Sequence, residues 1–257
     1  MSEHIRIAKA DGVLTLVMDR ADKKNALTDA MYKALADALE AAESDSEVRA
    51  ILIRGEGDLF CAGNDVGEFA ATAASGGRTG PGNVTRFLHA LGAAAKPLVA
   101  AVQGRAVGIG TTMLLHCDLV VLADDAQLTT PFVNLALVPE AASSMLLPQR
   151  IGHARAFAMF ALGEPASAAD ALAWGIANKV VPLADLQATA EALAARLAKQ
   201  PLGAIVTTKK LMREREAIAA RMDAEGDHFA RRLMTDEARE AFAAFAERRS
   251  PDFSRFG

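Results

Sequence analysis

Two glycine-containing turns carry the clearest chemical signal in this sequence. One is Phe60-Cys-Ala-Gly-Asn-Asp-Val66, after the apolar run 48–53. The other is Gly104-Arg-Ala-Val-Gly-Ile-Gly110, after the apolar run 98–102. Each is expected to join a buried strand to a helix, where backbone N–H groups lack intrahelical acceptors and the helix dipole is positive. Side by side, two such turns can direct two N–H donors at one developing oxyanion. Read alone, each can equally be a simple tight connection, the commoner use of a glycine after a strand.

Other chemistries find less support. Gly104–Gly110 lacks the third glycine of a dinucleotide loop, since Thr111-Thr112-Met113 follows it. There is no G-x-S-x-G, no phosphate-binding G-x-x-x-x-G-K-[ST] and no H-E-x-x-H, and the five histidines lack metal-ligand spacing, so no metal site is expected. Ser143, His116 and Asp118 have the residue types of a hydrolytic triad, but no nucleophile elbow accompanies them. Asp65 is placed to cap the helix after the first turn. Asp118, His116 and Trp174 read as structural.

The elements that would position these turns alternate between strand and helix. Residues 13–18, 48–53, 98–102 and 119–123 read as strands, and the last three are apolar enough to be buried on both faces of a parallel sheet. Thr28 is a natural N-cap, and Met31, Leu35, Ala38, Leu39 and Ala42 keep helical spacing behind it. Ser167-Ala-Ala-Asp170 reads as a capping box, and Leu186, Ala190, Leu193 and Leu197 form a helical stripe. After residue 198 only helices are expected. The reading is an α/β core over 1–198 and a helical layer over 199–257, with a mobile loop at 71–83.

Composition narrows the function further. The 257 residues hold 28 Lys+Arg against 32 Asp+Glu, a net charge of −4, which argues against a nucleic-acid partner or an anionic-membrane surface. Cys61 and Cys117 cannot make a disulfide framework for a chain of this size. The first residues form no apolar signal region, and no uncharged stretch is long enough to span a membrane. A soluble, cytoplasmic protein is expected.

Taken together, Asn25-Ala26-Leu27, the two glycine turns, Cys117-Asp118-Leu119, Leu137-Val-Pro-Glu-Ala-Ala-Ser-Ser144, Trp174-Gly-Ile-Ala-Asn178 and the closing 245–253 segment resemble, in order and spacing, the motifs of the crotonase (enoyl-CoA hydratase/isomerase) superfamily. The resemblance spans essentially the whole chain. It implies a spiral of ββα units, a C-terminal helical region that assembles a homotrimer or a dimer of trimers, and an acyl-CoA thioester substrate. Coenzyme A would then be part of the substrate, and no separate cofactor is implied. The oxyanion donors would be the N–H groups of Asn64 and Ile109. Lys23, Lys24, Asn25, Ala26, Ala62, Gly63, Asp65, Val66, Gly108 and Phe132 would contact the substrate. The acyl pocket would draw on residues 69–91, including Phe69, Phe87 and Leu88. Lys23 and Lys24 suit the nucleotide phosphates, but also read as two solvated lysines.

Departures from the family pattern point to a particular reaction. Thr112 and Phe132 stand where hydratases of this family carry two glutamates, and neither can move a proton for water addition. Glu140 matches the catalytic glutamate of peroxisomal-type Δ3,Δ2-enoyl-CoA isomerases, which the Gly63-Asn64-Asp65 segment also resembles. The expected activity is therefore double-bond migration in fatty-acid or related acyl-CoA metabolism, with Glu140 as proton shuttle. A hydratase, another crotonase reaction or a non-catalytic CoA-binding module are the alternatives. Glu140 also stands at an expected helix start. There the dipole would lower its pKa and burial would raise it.

Overall fold

The computed structural model describes residues 2–65, 67–68 and 82–256. Its central sheet has the order β1-β2-β3-β4-β6-β9, and a small second sheet has the order β5-β7-β8. The strands are β1 (Ile5–Ala10), β2 (Val13–Met18), β3 (Ala50–Gly55), β4 (Leu98–Val102), β5 (Arg105–Val107), β6 (Leu119–Ala123), β7 (Gln127–Thr129), β8 (Ala166–Ser167) and β9 (Lys179–Val181). β1 pairs antiparallel with β2; from β2 to β9 the central sheet is parallel.

The continuous apolar runs are explained by what covers each face. Leu16, Met18, Ile51, Ile53, Ala100, Val102 and Leu122 enter the main core with α1 (Asp29–Ser44) and α2 (Asn83–Ala93). Leu52, Val99, Ala101, Val121 and Ala123 face the other way, against Leu186, Ala190 and Ala194 of α7 (Leu186–Ala198). Each fully buried Ile or Leu contributes roughly 1.5–3 kcal/mol, which makes these strands the rigid part of the chain. Their C-terminal ends lead into the two glycine turns.

Strand pairs followed by a helix recur along the chain. β4 and β5 lead to α3 (Ile109–Thr112), and β6 and β7 lead towards α4 (Ser143–Ile151). The two strands of each unit belong to different sheets, which gives a spiral. The caps read from sequence are present. Thr28 accepts the Met31 N–H, and Ser167 with Asp170 forms a capping box on α6 (Ala168–Ala173), the helix that follows α5 (His153–Phe157).

The C-terminal layer consists of α8 (Leu202–Met212), α9 (Arg215–Leu233) and α10 (Asp236–Glu247). Met222 and Ile218 of α9 pack on Gly92 of α2, where a Cβ would lie 3.0 Å from the Met222 Cε. Phe242 and Ala238 of α10 pack with Phe132 and Leu137. Among the described residues no helix is long and apolar enough to cross a membrane. Most of the 71–83 loop, together with Val66 and Phe69, lies outside the described residues.

Candidate active site

The first turn is held from behind by Asn25. This residue is fully buried. Its amide nitrogen donates to the carbonyls of Glu56 (2.8 Å) and Leu59 (2.9 Å), and its Oδ1 accepts the Arg20 N–H (2.9 Å). The side chain is thus consumed in supporting the loop rather than left to meet a ligand. Lys24 and Asn25 both take positive φ, +57° and +53°, so the chain doubles back beside the turn. Ala62 N–H donates to Lys24 O (3.0 Å), Leu27 N–H to Gly63 O (2.8 Å) and Asp65 N–H to Leu27 O (3.0 Å). Segments 23–26 and 62–66 are both assigned to the substrate by the family resemblance, and 23–26 and 62–65 lie together here. Lys23 and Lys24 are exposed there. Asp65 pairs with Arg20 at 2.7 Å and accepts the N–H of Gly67 (3.0 Å), the capping role expected of it.

The two glycine turns are joined directly. Cys61 N–H donates to Arg105 O (3.2 Å), and Val107 N–H donates to Cys61 O (2.9 Å). Gly63 has φ +94°, and a Cβ on it would stand 3.1 Å from the Val107 carbonyl oxygen. Gly108 has φ +55° and ψ −117°, a backbone state that only glycine adopts readily, and it opens α3 with Ile109 as the first helical residue. Among the described residues the N–H groups of Asn64 and Ile109 have no acceptor. The Tyr32 hydroxyl donates to the Asn64 Oδ1 and fixes that side chain. Thr111 Oγ1 donates to Ala106 O (2.7 Å), which pins α3 to β5.

Glu140 is buried at 6% exposure, and burial raises its pKa from 4.5 to about 8. Glu225 of α9 adds to that rise, and the Thr112 hydroxyl, 3.4 Å from Oε1, opposes it. Desolvation outweighs the start of α4 three residues on. Ala141 and Ala142 both take left-handed backbone, φ +61° and +54°. For alanine that costs roughly 1–2 kcal/mol per residue, so the surroundings must enforce it. His116 does so in part: it is fully buried, and its Nε2 lies 2.8 Å from the Ala141 carbonyl oxygen. Arg213 of α8's C-terminal cap donates to His116 Nδ1 (2.9 Å), which leaves the proton on Nε2. Burial, reinforced by Arg213, lowers the His116 pKa to about 3.

That arrangement removes the triad reading. His116 is spent between Arg213 and Ala141, and Asp118 accepts from Leu98 N–H (2.8 Å) and Lys209 Nζ (2.7 Å). Phe132 is buried beneath α10, with its Cε1 3.9 Å from a Cβ built on Gly108. Phe87 packs its ring on Tyr32 at 5.5 Å, inside the core. Sequence reading missed Tyr32, the His116–Arg213 link and Glu225. Glu225 had a signal, since it occupies an apolar-stripe position with Ile218 and Met222. A separate cavity of about 760 Å³ opens at the far ends of the strands, lined by Pro97, Asp118, Arg150 and Lys209. None of Asn64, Ile109 and Glu140 lines it.

The spiral, with two unpaired backbone donors on adjoining turns and one buried carboxylate, has the architecture of the crotonase fold. The sequence matches the enoyl-CoA hydratase/isomerase family over residues 8–255, and the chain belongs to that family. It is 33% identical to 1,2-epoxyphenylacetyl-CoA isomerase of Escherichia coli, with 99% of each chain covered. It is 32% identical to enoyl-CoA delta isomerase 2 of Rattus norvegicus, over 96% of this chain and 64% of that protein. A protein of Rhodobacter capsulatus named probable enoyl-CoA hydratase and the 2,3-dehydroadipyl-CoA hydratase of Escherichia coli match at the same level, 32%. A solved enoyl-CoA hydratase/isomerase from Pseudoalteromonas atlantica superposes with a TM-score of 0.92 at 38% identity, covering 98% of this chain and 100% of the other.

Proposed function

We propose that this protein moves the double bond of a 3-enoyl-CoA thioester to the 2-position. The observation that carries the reading is Glu140, a buried carboxylate whose pKa of about 8 lies close to working pH. Such a group can both take and return a proton. Glu140 removes a proton from C2, and the electrons shift into a dienolate whose charge rests on the thioester oxygen. The N–H groups of Asn64 and Ile109 receive that charge. Glu140 then delivers the proton to C4, and the base is regenerated. Lys23, Lys24 and Ala26 with Ala62–Asp65 would line the CoA nucleotide, the two lysines meeting its phosphates. Assembly into trimers would use the C-terminal layer, where Leu211 and Met212 stand 84% and 79% exposed.

Hydration is the second reading, and one observation favours it. Although Thr112 and Phe132 cannot carry protons, Glu225 supplies a second buried carboxylate. Ultraviolet absorbance separates the two. A 3-enoyl-CoA gains conjugation under an isomerase, and a 2-enoyl-CoA loses it under a hydratase. Glu140→Gln should reduce isomerase turnover by roughly 10² to 10⁴ while thioester binding survives. Near-native turnover in that variant would overturn the proposal.

A further inference from the structure

On α9, Ile218, Met222 and Glu225 follow one another at i, i+4 and i+7, and all three are buried. The first two pack on Gly92 of α2, but the third meets the residues that follow Glu140. Glu225 Oε1 accepts the Ser144 N–H at 2.9 Å. Its Oε2 is buried with no hydrogen-bond partner among the described residues, and so are the hydroxyls of Ser143 and Ser144. A buried carboxylate with one unpaired oxygen is costly when ionised, and more so beside a second carboxylate. Glu140 therefore opens one strained turn, 140–144, that Glu225 contacts from the C-terminal layer.

We propose that Glu225 is a positioning residue for Glu140: from behind the 140–144 turn its negative charge holds the proton on Glu140, so the C-terminal helix sets when the base is free. This rests on the reading of Glu140 as the proton-transferring group. The other titratable groups around the pair do not supply the effect. Tyr32 from α1 is pushed up by burial, and so is the Cys61 thiol of the first turn, to about 12; both stay neutral at working pH. His116 is neutral against Ala141, and the Thr112 hydroxyl favours the ionised form of Glu140. Burial raises the pKa of Glu225 itself, and the Ser144 N–H, with Arg221 on Glu225's own helix, opposes that rise and favours its charged form.

Carboxyl-carbon NMR of the full chain labelled at glutamate tests this without needing a substrate, with the Glu140 signal assigned by its loss in Glu140→Gln. In Glu225→Gln, which keeps an acceptor for Ser144, Glu140 should titrate at least about half a unit lower, since a like charge within reach raises a carboxyl by that order or more. The acid limb of kcat/KM should move by the same amount, and Glu225→Asp should restore the native position. Coupling is reciprocal, so in Glu140→Gln the Glu225 signal should fall equally, which serves even if Glu225→Gln does not fold. Unchanged titration of each glutamate when the other is neutralised would overturn the proposal. So would a Glu225→Gln variant that loses turnover while Glu140 titrates as before, because Glu225 would then be moving a proton itself. Coupling that persists while Glu140→Gln keeps native turnover would instead sink the isomerase reading.

Discussion

Gly110 lies directly on Cys61: a Cβ at position 110 would stand 2.7 Å from the Cys61 carbonyl oxygen and 3.0 Å from its Cβ. The contact is between the two turns that offer the Asn64 and Ile109 donors. Backbone, not a flexible tip, is what an added methyl would strike. Gly110→Ala should therefore cost about 1–3 kcal/mol in urea denaturation, the usual toll of overpacking. Turnover should fall further than stability implies, by about 10²-fold, because displacement of a donor by an ångström is enough. A variant with native kcat would show that donor spacing is not set here.

Asn25 offers a different test, since it acts through carbonyls. Replacing it with alanine orphans the buried acceptors at Leu59 and Phe60, each worth about 1–3 kcal/mol when left unmade. Asn25→Ala should lose stability by more than a typical surface change. Asn25→Asp should lose at least as much, because the replacement has no donors. Equal stability of Asn25→Asp and the native chain would contradict the observed amide orientation.

The pH dependence of folding carries two opposing signs. Glu140 holds in the fold a proton that the unfolded chain releases. Its contribution is intact below pH 4.5 and is lost as the pH rises through about 8. His116 is the reverse: neutral in the fold, it contributes fully above 6.5 and loses that contribution as the pH falls through about 3. Glu140→Gln should match the native chain near pH 4 and exceed it at pH 8 by on the order of a few kcal/mol. Calorimetry at the two pH values reads this directly, and equal stability at pH 8 would mean Glu140 is not buried in its charged form at a cost.

Lys23 and Lys24 are exposed beside the first turn, and Lys24 pairs with Asp58 at 3.4 Å. The double change to alanine should weaken CoA-thioester binding several-fold, more at low salt than at high. A shortened thioester ending at pantetheine, with no nucleotide phosphates, should bind both proteins alike. Equal loss for the two ligands would place the phosphates elsewhere.

Sequence legibility followed element length and local chemistry. β2, β4 and β6 were readable to the residue because five or six apolar positions repeat a buried pattern. β3 begins at Ala50 rather than Val48, a shift that an uninterrupted apolar run cannot resolve. β1 was invisible because only Ile5 in it is buried, and the three-residue strands β5, β7 and β9 are too short to show a period. Asn25 was recognisable as important from its motif, but the motif could not tell a ligand contact from an internal brace. Glu225 stood out only as a charge on the apolar stripe of Ile218 and Met222, and that position could not say which carboxylate or turn it would face.

Arg213 and Glu225 reach back to residues 116 and 144 from the last quarter of the chain. A growing polypeptide therefore carries Glu140 long before that side chain has its final surroundings. At roughly 5–20 residues per second, the interval between synthesis of residues 140 and 225 is about 4–17 seconds. Until residue 213 is made the two alanines after Glu140 have no His116–Arg213 brace, and until residue 225 is made Ser144 has no Glu225 carboxylate to accept its N–H. A nascent chain stalled before residue 213 would hold every motif of the two turns and still lack both the Arg213 and the Glu225 contacts.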